Sequence, residues 1–564
     1  MLSLFTCTLF FAVASSQENA DLRNDARLPI SGGTKNWQLL PPIGTRFSPR
    51  HSHATTVFKC PDNSSSPSTN SASLPDNSSS LCLWLTGGYS DPHRSIDLRI
   101  ENENADVWYS KDGKEWHQAT LFGDFIQGVG NWDAKPGGFT APWYARYGHS
   151  LNALDDEEGD GIADVMVLIG GNNPMPSNDV WLSRDGISWY FDGHADFPKR
   201  AYHSTAVFQG KLYVIGGTPF TNSVWSGRLV KNSTSKVGYT VKWAQMKDAP
   251  FTPRAGACAI AHSIIDENVG DNASVLNRTE EVIMNNATDA LFILGGLAGY
   301  SEDNPDYEGI RTRNDVWKTT DGESWEKVMT DDITMWAGRA FHGCTSWRST
   351  PLSQPKMYIA GGGWLGKEGN REVRSLETYT DTWWSYNGSV WMKINYDEGS
   401  IYKDNLYSTN EWTEITVEGR KVYRGKWGFS LENFVTSQDL NGDDRKTSID
   451  SAPTQSCSSA NESLCKTMLL TEEQIPALFL IGGKVEGFST VSDTFISKPG
   501  INCELEGITC GERGTCGATG CICHSSNFTG EFCLDTHVSP QTSSATAAIT
   551  YLAPMVSIVL IAFW

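Results

Sequence analysis

The sequence predicts an all-β fold assembled from six copies of one strand-and-turn unit. Three observations carry this expectation. An apolar run ending in paired glycines recurs six times, a segment like Asp-Val-Trp follows each pair, and an Asp-Gly or Asn-Gly turn then leads to a closing tryptophan in four copies. Self-similarity at a near-fixed period is the mark of a repeat architecture. The 53 glycines and 21 tryptophans among 564 residues supply the turns and flat side chains that such a fold consumes.

Val165–Trp189 displays the whole unit. Val165–Ile169 is a short β-branched run suited to a strand buried on both faces, and Gly170-Gly171 ends it. Asn178-Asp179-Val180-Trp181 opens the next strand, and Asp185-Gly186 reverses the chain toward Trp189. Asp-Gly between strand-like runs is a strong hairpin signal, because glycine accepts the positive φ of the turn. Two registers are open. A two-residue loop sets Leu182 opposite Trp189, whereas a three-residue loop with a glycine bulge sets Trp181 opposite Trp189. The second is expected, since a facing aromatic pair explains why both tryptophans recur together.

The glycine pairs are Gly87-Gly88, Gly170-Gly171, Gly216-Gly217, Gly295-Gly296, Gly361-Gly362 and Gly482-Gly483. The second and third stand 46 residues apart, and polar insertions such as 62–80 and 266–288 lengthen other copies. An arginine precedes the apolar strand, often with histidine three residues on: Arg50/His53, Arg146/His149, Arg200/His203, Arg254 alone, and Arg339/His342. The last copy lacks its turn and closing tryptophan. The missing piece stands at the other end, where Trp37-Gln38-Leu39-Leu40-Pro41 before Ser48-Pro49-Arg50 matches Trp243-Ala244-Gln245-Met246 before Thr252-Pro253-Arg254.

This pattern resembles the kelch repeat over residues 31–498. The resemblance implies a six-bladed β-propeller, one repeat per four-stranded blade, closed by an N-terminal strand that completes the sixth blade and removes two sheet edges. Large aromatics would then be buried between neighbouring blades.

Both ends carry processing signals. Residues 1–16 read as a signal peptide. At the other end, 536–545 reads as linker and attachment region, and 546–564 as a hydrophobic lipid (GPI) signal or membrane anchor, with Ser543 and Ser544 as attachment candidates. Nine Asn-x-Ser/Thr triplets, at Asn63, Asn77, Asn232, Asn272, Asn277, Asn286, Asn387, Asn461 and Asn527, fit a secreted glycoprotein. The expected location is the extracellular face of the plasma membrane. The net charge of −21 opposes phosphate and argues against nucleic acid as a partner.

Removing the signal discards Cys7 and leaves twelve cysteines, an even number that points to disulfides in an oxidising compartment. Cys60 and Cys82 flank one insertion, Cys457 and Cys465 flank a short loop, and Cys258 and Cys344 occupy nearly equivalent places in adjacent copies and pair by elimination. Residues 501–535 resemble an EGF-like module through Gly514-Thr515-Cys516, Cys521-Ile522-Cys523 and Thr529–Cys533. That resemblance implies Cys503–Cys516, Cys510–Cys521 and Cys523–Cys533, staples that a module this small needs. Kelch and EGF-like modules together resemble the attractin group, from which no particular partner is carried over.

Three features invite chemistry. The Arg and His recur once per copy, which suits structural bonds to the blades. Asp156, Glu158, Asp160 and Asp164 space carboxylates around a glycine as a candidate calcium loop, with Asp439–Asp444 a weaker second. Calcium is the one cofactor this suggests. Galactose-oxidase-like and sialidase-like enzymes share the propeller architecture, but every propeller cysteine has a disulfide partner available, and no catalytic residue is assigned. The expectation is a binding or adhesion ectodomain that uses propeller loops to hold an extracellular protein or glycan. An enzyme would instead show convergent, non-repeated polar groups of perturbed pKa at the ring centre.

Overall fold

In the computed structural model, residues 38–434 are described apart from 41, 62–80, 91–102, 126–133, 157–162, 173, 266–286, 300–309, 329–335, 348–354, 369–370, 380, 394–413, 418–419 and 424. Residues 477–485 and 490–497 follow, and four short strands are described within 514–536. Among the described residues every regular element is a strand. The chain divides into a unit of Met1–Gly500 and a second of Ile501–Trp564.

The first unit is a six-bladed β-propeller of antiparallel four-stranded blades. Blade one is Ala54–Lys59, Leu81–Thr86, Val107–Ser110 and His117–Gln118. Blade two is Ser150–Leu154, Val165–Asn172, Pro176–Ser183 and Ser188–His194. Blade three is Ser204–Phe208, Lys211–Ile215, Val224–Lys231 and Tyr239–Gln245, and blade four is Cys258–Ile265, Ala287–Ala298, Arg311–Thr319 and Glu326–Lys327. Blade five is Gly343–Trp347, Lys356–Ala360, Thr382–Ser385 and Met392–Lys393. Blade six takes Ser430–Phe434, Ala477–Ile481 and Thr494–Ser497 from the end of the unit and Gln38–Leu39 from its start. Gln38 lies opposite Ile496 and Leu39 opposite Phe495, so the expected N-terminal strand closes the ring.

The second strand of each blade is apolar because both its faces are covered. Val165–Gly171 is buried throughout, and the core lies between blades. Trp84 and Val107 of blade one pack with Met166, Leu168, Trp181 and Trp189 of blade two, while Leu182 and Val167 pack with Leu212 and Trp225 of blade three. Each fully buried large side chain contributes about 2–3 kcal/mol of transfer free energy.

The turn departs from both expected registers. Leu182 pairs with Tyr190 and Trp181 with Phe191. Ser183 widens the turn: its Oγ accepts from Gly186 N at 2.8 Å, while Asp185 Oδ1 accepts from the amides of Ile187 (2.8 Å) and Ser188 (2.6 Å). Trp189 therefore sits two residues nearer the turn than the partner of Trp181, still on the same face. The ring contact with Trp181 is made by Phe191 (5.2 Å), and Trp143 wedges against both tryptophans at 5.8 and 4.8 Å. Trp143 belongs to a segment that also adds Phe122–Gly123 as a parallel fifth strand to blade two, an insertion the repeat pattern did not foreshadow.

Gly186 is required twice over. Its φ is +72°, and a Cβ there would stand 2.2 Å from Trp84 Cη2 of the preceding blade.

In the second unit, Gly514–Gly517 pairs with Gly520–Cys523, and Phe528–Thr529 with Asp535–Thr536.

Candidate functional site

The arginine that precedes each of blades one to five holds its blade together. Arg146 Nη1 donates to Gly170 O at 2.7 Å and its guanidinium forks onto both Asp179 oxygens at 2.7 Å. Trp181 Nε1 donates to the same carboxylate at 2.7 Å. Arg50–Asp106, Arg254–Asp315 and Arg339–Asp381 repeat the arrangement. Burial alone would raise these carboxyls, but the arginine charge and hydrogen bonds outweigh it and hold Asp106, Asp179, Asp315 and Asp381 below the usual range. Between blades, the second glycine of each pair donates to the carbonyl of the next copy's basic residue, as in Gly88 N to Arg146 O (2.8 Å) and Gly483 N to Arg50 O (2.9 Å).

Two residues further along, six backbone groups close on each other. Gly148 N donates to Ser52 O, Tyr202 N to Gly148 O, Gly256 N to Tyr202 O, Phe341 N to Gly256 O, Gly428 N to Phe341 O, and Ser52 N to Gly428 O. All six bonds measure between 2.7 and 2.9 Å. Every blade gives one donor and one acceptor, so the ring encircles the propeller axis. All six residues have positive φ, including Ser52 (53°), Tyr202 (53°) and Phe341 (55°).

Above that ring stands a cycle of aromatic side chains. His51 meets Tyr89 (5.5 Å), Tyr89 meets Tyr147 (5.3 Å), and Tyr147 meets Tyr202 (5.9 Å). Tyr202 meets Phe341 (5.2 Å), Phe341 meets Trp427 (5.7 Å), and Trp427 returns to His51 (4.6 Å). Successive planes tilt by 44 to 76°, about the 60° step that six rings take around one axis. His51 and Tyr147 are buried, and Tyr89, Tyr202, Phe341 and Trp427 are half-buried.

Sequence reasoning missed this crown. Five of its members occupy the two positions between the basic residue and the histidine, where an aromatic alternates with a small residue: His51-Ser52, Tyr147-Gly148, Ala201-Tyr202, Ala340-Phe341 and Trp427-Gly428. The sixth copy escaped notice because Lys426 replaces the arginine and Phe429 the histidine.

The repeated histidines lie behind the crown and serve the frame. Burial pushes His53, His203 and His342 down to about 3 and His149 well below its ordinary value, so all four are neutral. His149 Nε2 bonds Thr86 Oγ1 of blade one at 2.8 Å, and His203 Nε2 bonds Ser150 Oγ of blade two at 3.1 Å. One non-repeated group differs. Burial pushes the Glu432 carboxyl up to about 7, partly offset by a hydrogen bond from Thr55 Oγ1. It sits on the innermost strand of blade six, facing the first strand of blade one.

Asp155 and Asp156 follow strand one of blade two and Asp164 precedes strand two, at the end of the blade away from the crown. Ligand atoms of Asp155, Asp156 and Asp164 lie within 4.8 Å of one another. Asp155 was not among the expected ligands, while Glu158 and Asp160, like Asp439–Asp444, fall outside the described residues. Asp156 already engages Tyr239 OH (3.0 Å) and Lys231 Nζ (3.5 Å), and its amide donates to Asp164 Oδ2 (3.1 Å). Burial raises the Asp164 carboxyl, and burial together with Asp156 pushes Tyr239 up to about 12.

Cys60–Cys82 and Cys258–Cys344 are disulfide-bonded, the latter tying the innermost strands of blades four and five. Cys457, Cys465, the side chains of Cys503, Cys510, Cys516, Cys521, Cys523 and Cys533, and Ser543 and Ser544 lie outside the described residues. So do Asn63, Asn77, Asn272, Asn277, Asn286, Asn461 and Asn527. Asn232 and Asn387 are described; Asn387 is exposed, and its Oδ1 accepts from Ser389 N at 3.0 Å.

No protein-family model and no curated protein matches the chain. A solved structure named "Structure of YjhT" matches at 13% identity and TM-score 0.39, over 81% of this chain and 97% of that one. The class of protein is a six-bladed β-propeller.

Proposed function

We propose that this chain is a cell-surface glycoprotein whose propeller, built of kelch-type repeats, binds an extracellular protein or glycan through the crown face. The observation that carries the reading is where the acceptor triplets fall. Strand one of each blade starts at the crown face, so strands one and three end, and strands two and four begin, at the far face. Asn232 and Asn387 fall in three-to-four links, and Asn63, Asn77, Asn272, Asn277, Asn286 and Asn461, outside the described residues, stand in sequence between a first and a second strand. Links at the crown face carry none. Glycans on these sites would cloak one face and leave the other bare for a partner. On this reading 501–535 is an EGF-like spacer, the C-terminal tail directs lipid attachment at Ser543 or Ser544, and the loop around Asp156 and Asp164 holds calcium.

A labelled soluble form of residues 17–535 is expected to bind a panel of cells saturably and to be competed by unlabelled protein. Absence of saturable binding throughout the panel contradicts the reading. Phosphatidylinositol-specific phospholipase should release the full chain from cells, and calcium should raise the melting temperature in a way that Asp164→Asn abolishes.

Glu432 favours a second reading, a propeller enzyme of the galactose-oxidase-like or sialidase-like type, because it is a lone acid poised near neutrality. Among the described residues its hydrogen-bond partner is Thr55. Turnover of an oxidisable or glycosidic substrate that Glu432→Gln abolishes would favour the enzyme.

A further inference from the structure

We infer that the outer edge of blade three is a docking site for an extended, acidic segment of a partner protein, added to the blade as a fifth strand. This rim surface is separate from the crown and goes beyond the crown-face reading.

Strand lengths set this edge apart. The outermost strands of blades one, four, five and six are two residues each: His117–Gln118, Glu326–Lys327, Met392–Lys393 and Gln38–Leu39. Blade two has seven, Ser188–His194, and the chain pairs Phe122–Gly123 against them. Blade three also has seven, Tyr239–Gln245, and no described strand lies outside it. A long open edge is the template on which another chain pairs. Burial marks the same gap. The closing tryptophans Trp116, Trp189, Trp325 and Trp391 are buried, whereas Trp243 is half-buried, and Lys242, Ala244 and Gln245 beside it are exposed.

Blade two shows how such an edge is filled. Phe122 N donates to Ile187 O at 3.0 Å and Asp124 N to Trp189 O at 2.8 Å, so the added strand runs past the closing tryptophan. On blade three two bonds fix which backbone groups face out. Met246 N donates inward to Val224 O at 2.9 Å, whereas Val241 N donates outward to Asp192 Oδ2 of blade two at 2.8 Å. Inward and outward groups alternate along an antiparallel strand, so the amides and carbonyls of Trp243 and Gln245 also face out. They lie beyond the Asp192 cap, toward the crown end of the strand.

Charge then selects the occupant. Residues 197–247 hold eight Lys or Arg and no Asp or Glu, in a chain of net charge −21. Lys199, Lys242 and Lys247 are exposed and form no ion pair among the described residues. Lys231 pairs with Asp156, and Lys236 with Asp124. Asp196 and Asp248 bound the stretch, and Asp192 is held by the Val241 amide with Lys242 favouring its charge. A carboxylate therefore already sits on this edge. Lysines on an open edge deter neutral strands, and they deter a second copy that would set its own lysines against them. An acidic strand turns the same charges into attraction.

The test is fluorescence anisotropy of the purified chain with a labelled decapeptide of alternating glutamate and valine. Saturable binding is expected. It should be at least tenfold weaker for a lysine–valine decapeptide, and for a glutamate–proline decapeptide that keeps the charge but lacks half the amides. It should fall at least tenfold in the double variant Lys242→Glu with Lys247→Glu, and in Gln245→Pro, which deletes an outward amide and no bond within the blade. All three replaced side chains are exposed, so both variants should keep the parent's thermal unfolding. No saturable binding, or binding unchanged in either variant, overturns the inference. Equal binding of the glutamate–proline peptide overturns it by showing charge alone at work. Heparin binding that the double variant loses, without binding of the peptide, overturns it too and assigns the patch to a sulfated glycan.

Discussion

Arg200 donates from Nη2 to Ser223 Oγ at 3.1 Å, at the place where four other blades set an aspartate against the arginine. The same replacement leaves Trp225 Nε1 without a hydrogen-bond partner among the described residues, whereas Trp108, Trp181, Trp317 and Trp383 all donate to their blade's aspartate. One missing carboxylate thus leaves two buried donors poorly matched, and burial lowers Arg200 to about 10.

Ser223→Asp should therefore stabilise the propeller by about 1–3 kcal/mol, since charge-assisted bonds to a buried cation are the stronger kind. The urea midpoint measures it. The converse change, Asp179→Ser, strands Arg146 and should cost about 3 kcal/mol or more. A lower midpoint for Ser223→Asp would contradict the account of the repeat.

The turns behave as one device with separable parts. Gly186→Ala forces a Cβ against Trp84 and strains φ, and should destabilise by about 3 kcal/mol or more. Asn387→Asp installs the residue that Asp112, Asp185 and Asp321 provide in equivalent turns, and should leave stability within about 0.5 kcal/mol while deleting an acceptor site.

His342 sets a pH dependence whose sign follows from its lowered pKa. The folded ring stays neutral down to about 3, whereas the unfolded ring protonates near 6.5. Stability is fully present above 6.5 and is lost as pH falls toward 3, by about 2 kcal/mol at pH 5 for one such histidine. Neither ring nitrogen of His342 has a hydrogen-bond partner among the described residues. His342→Phe, the residue blade six uses as Phe429, should keep neutral-pH stability and flatten the decline between pH 7 and 5. An unchanged slope would show that this ring does not drive it.

Glu432 acts in the opposite direction. Its folded pKa of about 7 lies above the unfolded value near 4.5, so the folded state holds the extra proton. Stability falls as pH rises from 4.5 to 7, by at most about 3 kcal/mol. Glu432→Gln keeps a partner for Thr55 and should remove that decline in urea titrations at pH 5 and pH 8.

The frame was legible because its parts are compulsory. Glycine pairs, Asp-Gly turns and arginines recur since each blade repeats the same bonds, and the likeness of Gln38–Leu39 to the end of blade three revealed how the ring closes. The tryptophan register was misjudged because Ser183 Oγ, a side chain, sets the width of the turn, and pairing rules built on backbone loops do not count it. Trp143 and Phe122–Gly123 lie in an insertion outside the period. The crown hid in plain positions: His51, Tyr147, Tyr202, Phe341 and Trp427 alternate between two neighbouring sites, so no column of the repeat looks aromatic. Only the fold brings Tyr89 beside them.

The most direct test of the central claim places a glycan where the sequence has none. Asp248 and Pro250 are exposed in the link from blade three to blade four, on the crown face, and Asp248→Asn with Pro250→Ser creates an acceptor triplet there. Cell binding of the soluble protein should fall at least tenfold once that site is occupied, and should be unchanged in Asn387→Asp, which removes a glycan from the far face. Binding that tolerates the added glycan and is lost with Asn387→Asp would contradict the account.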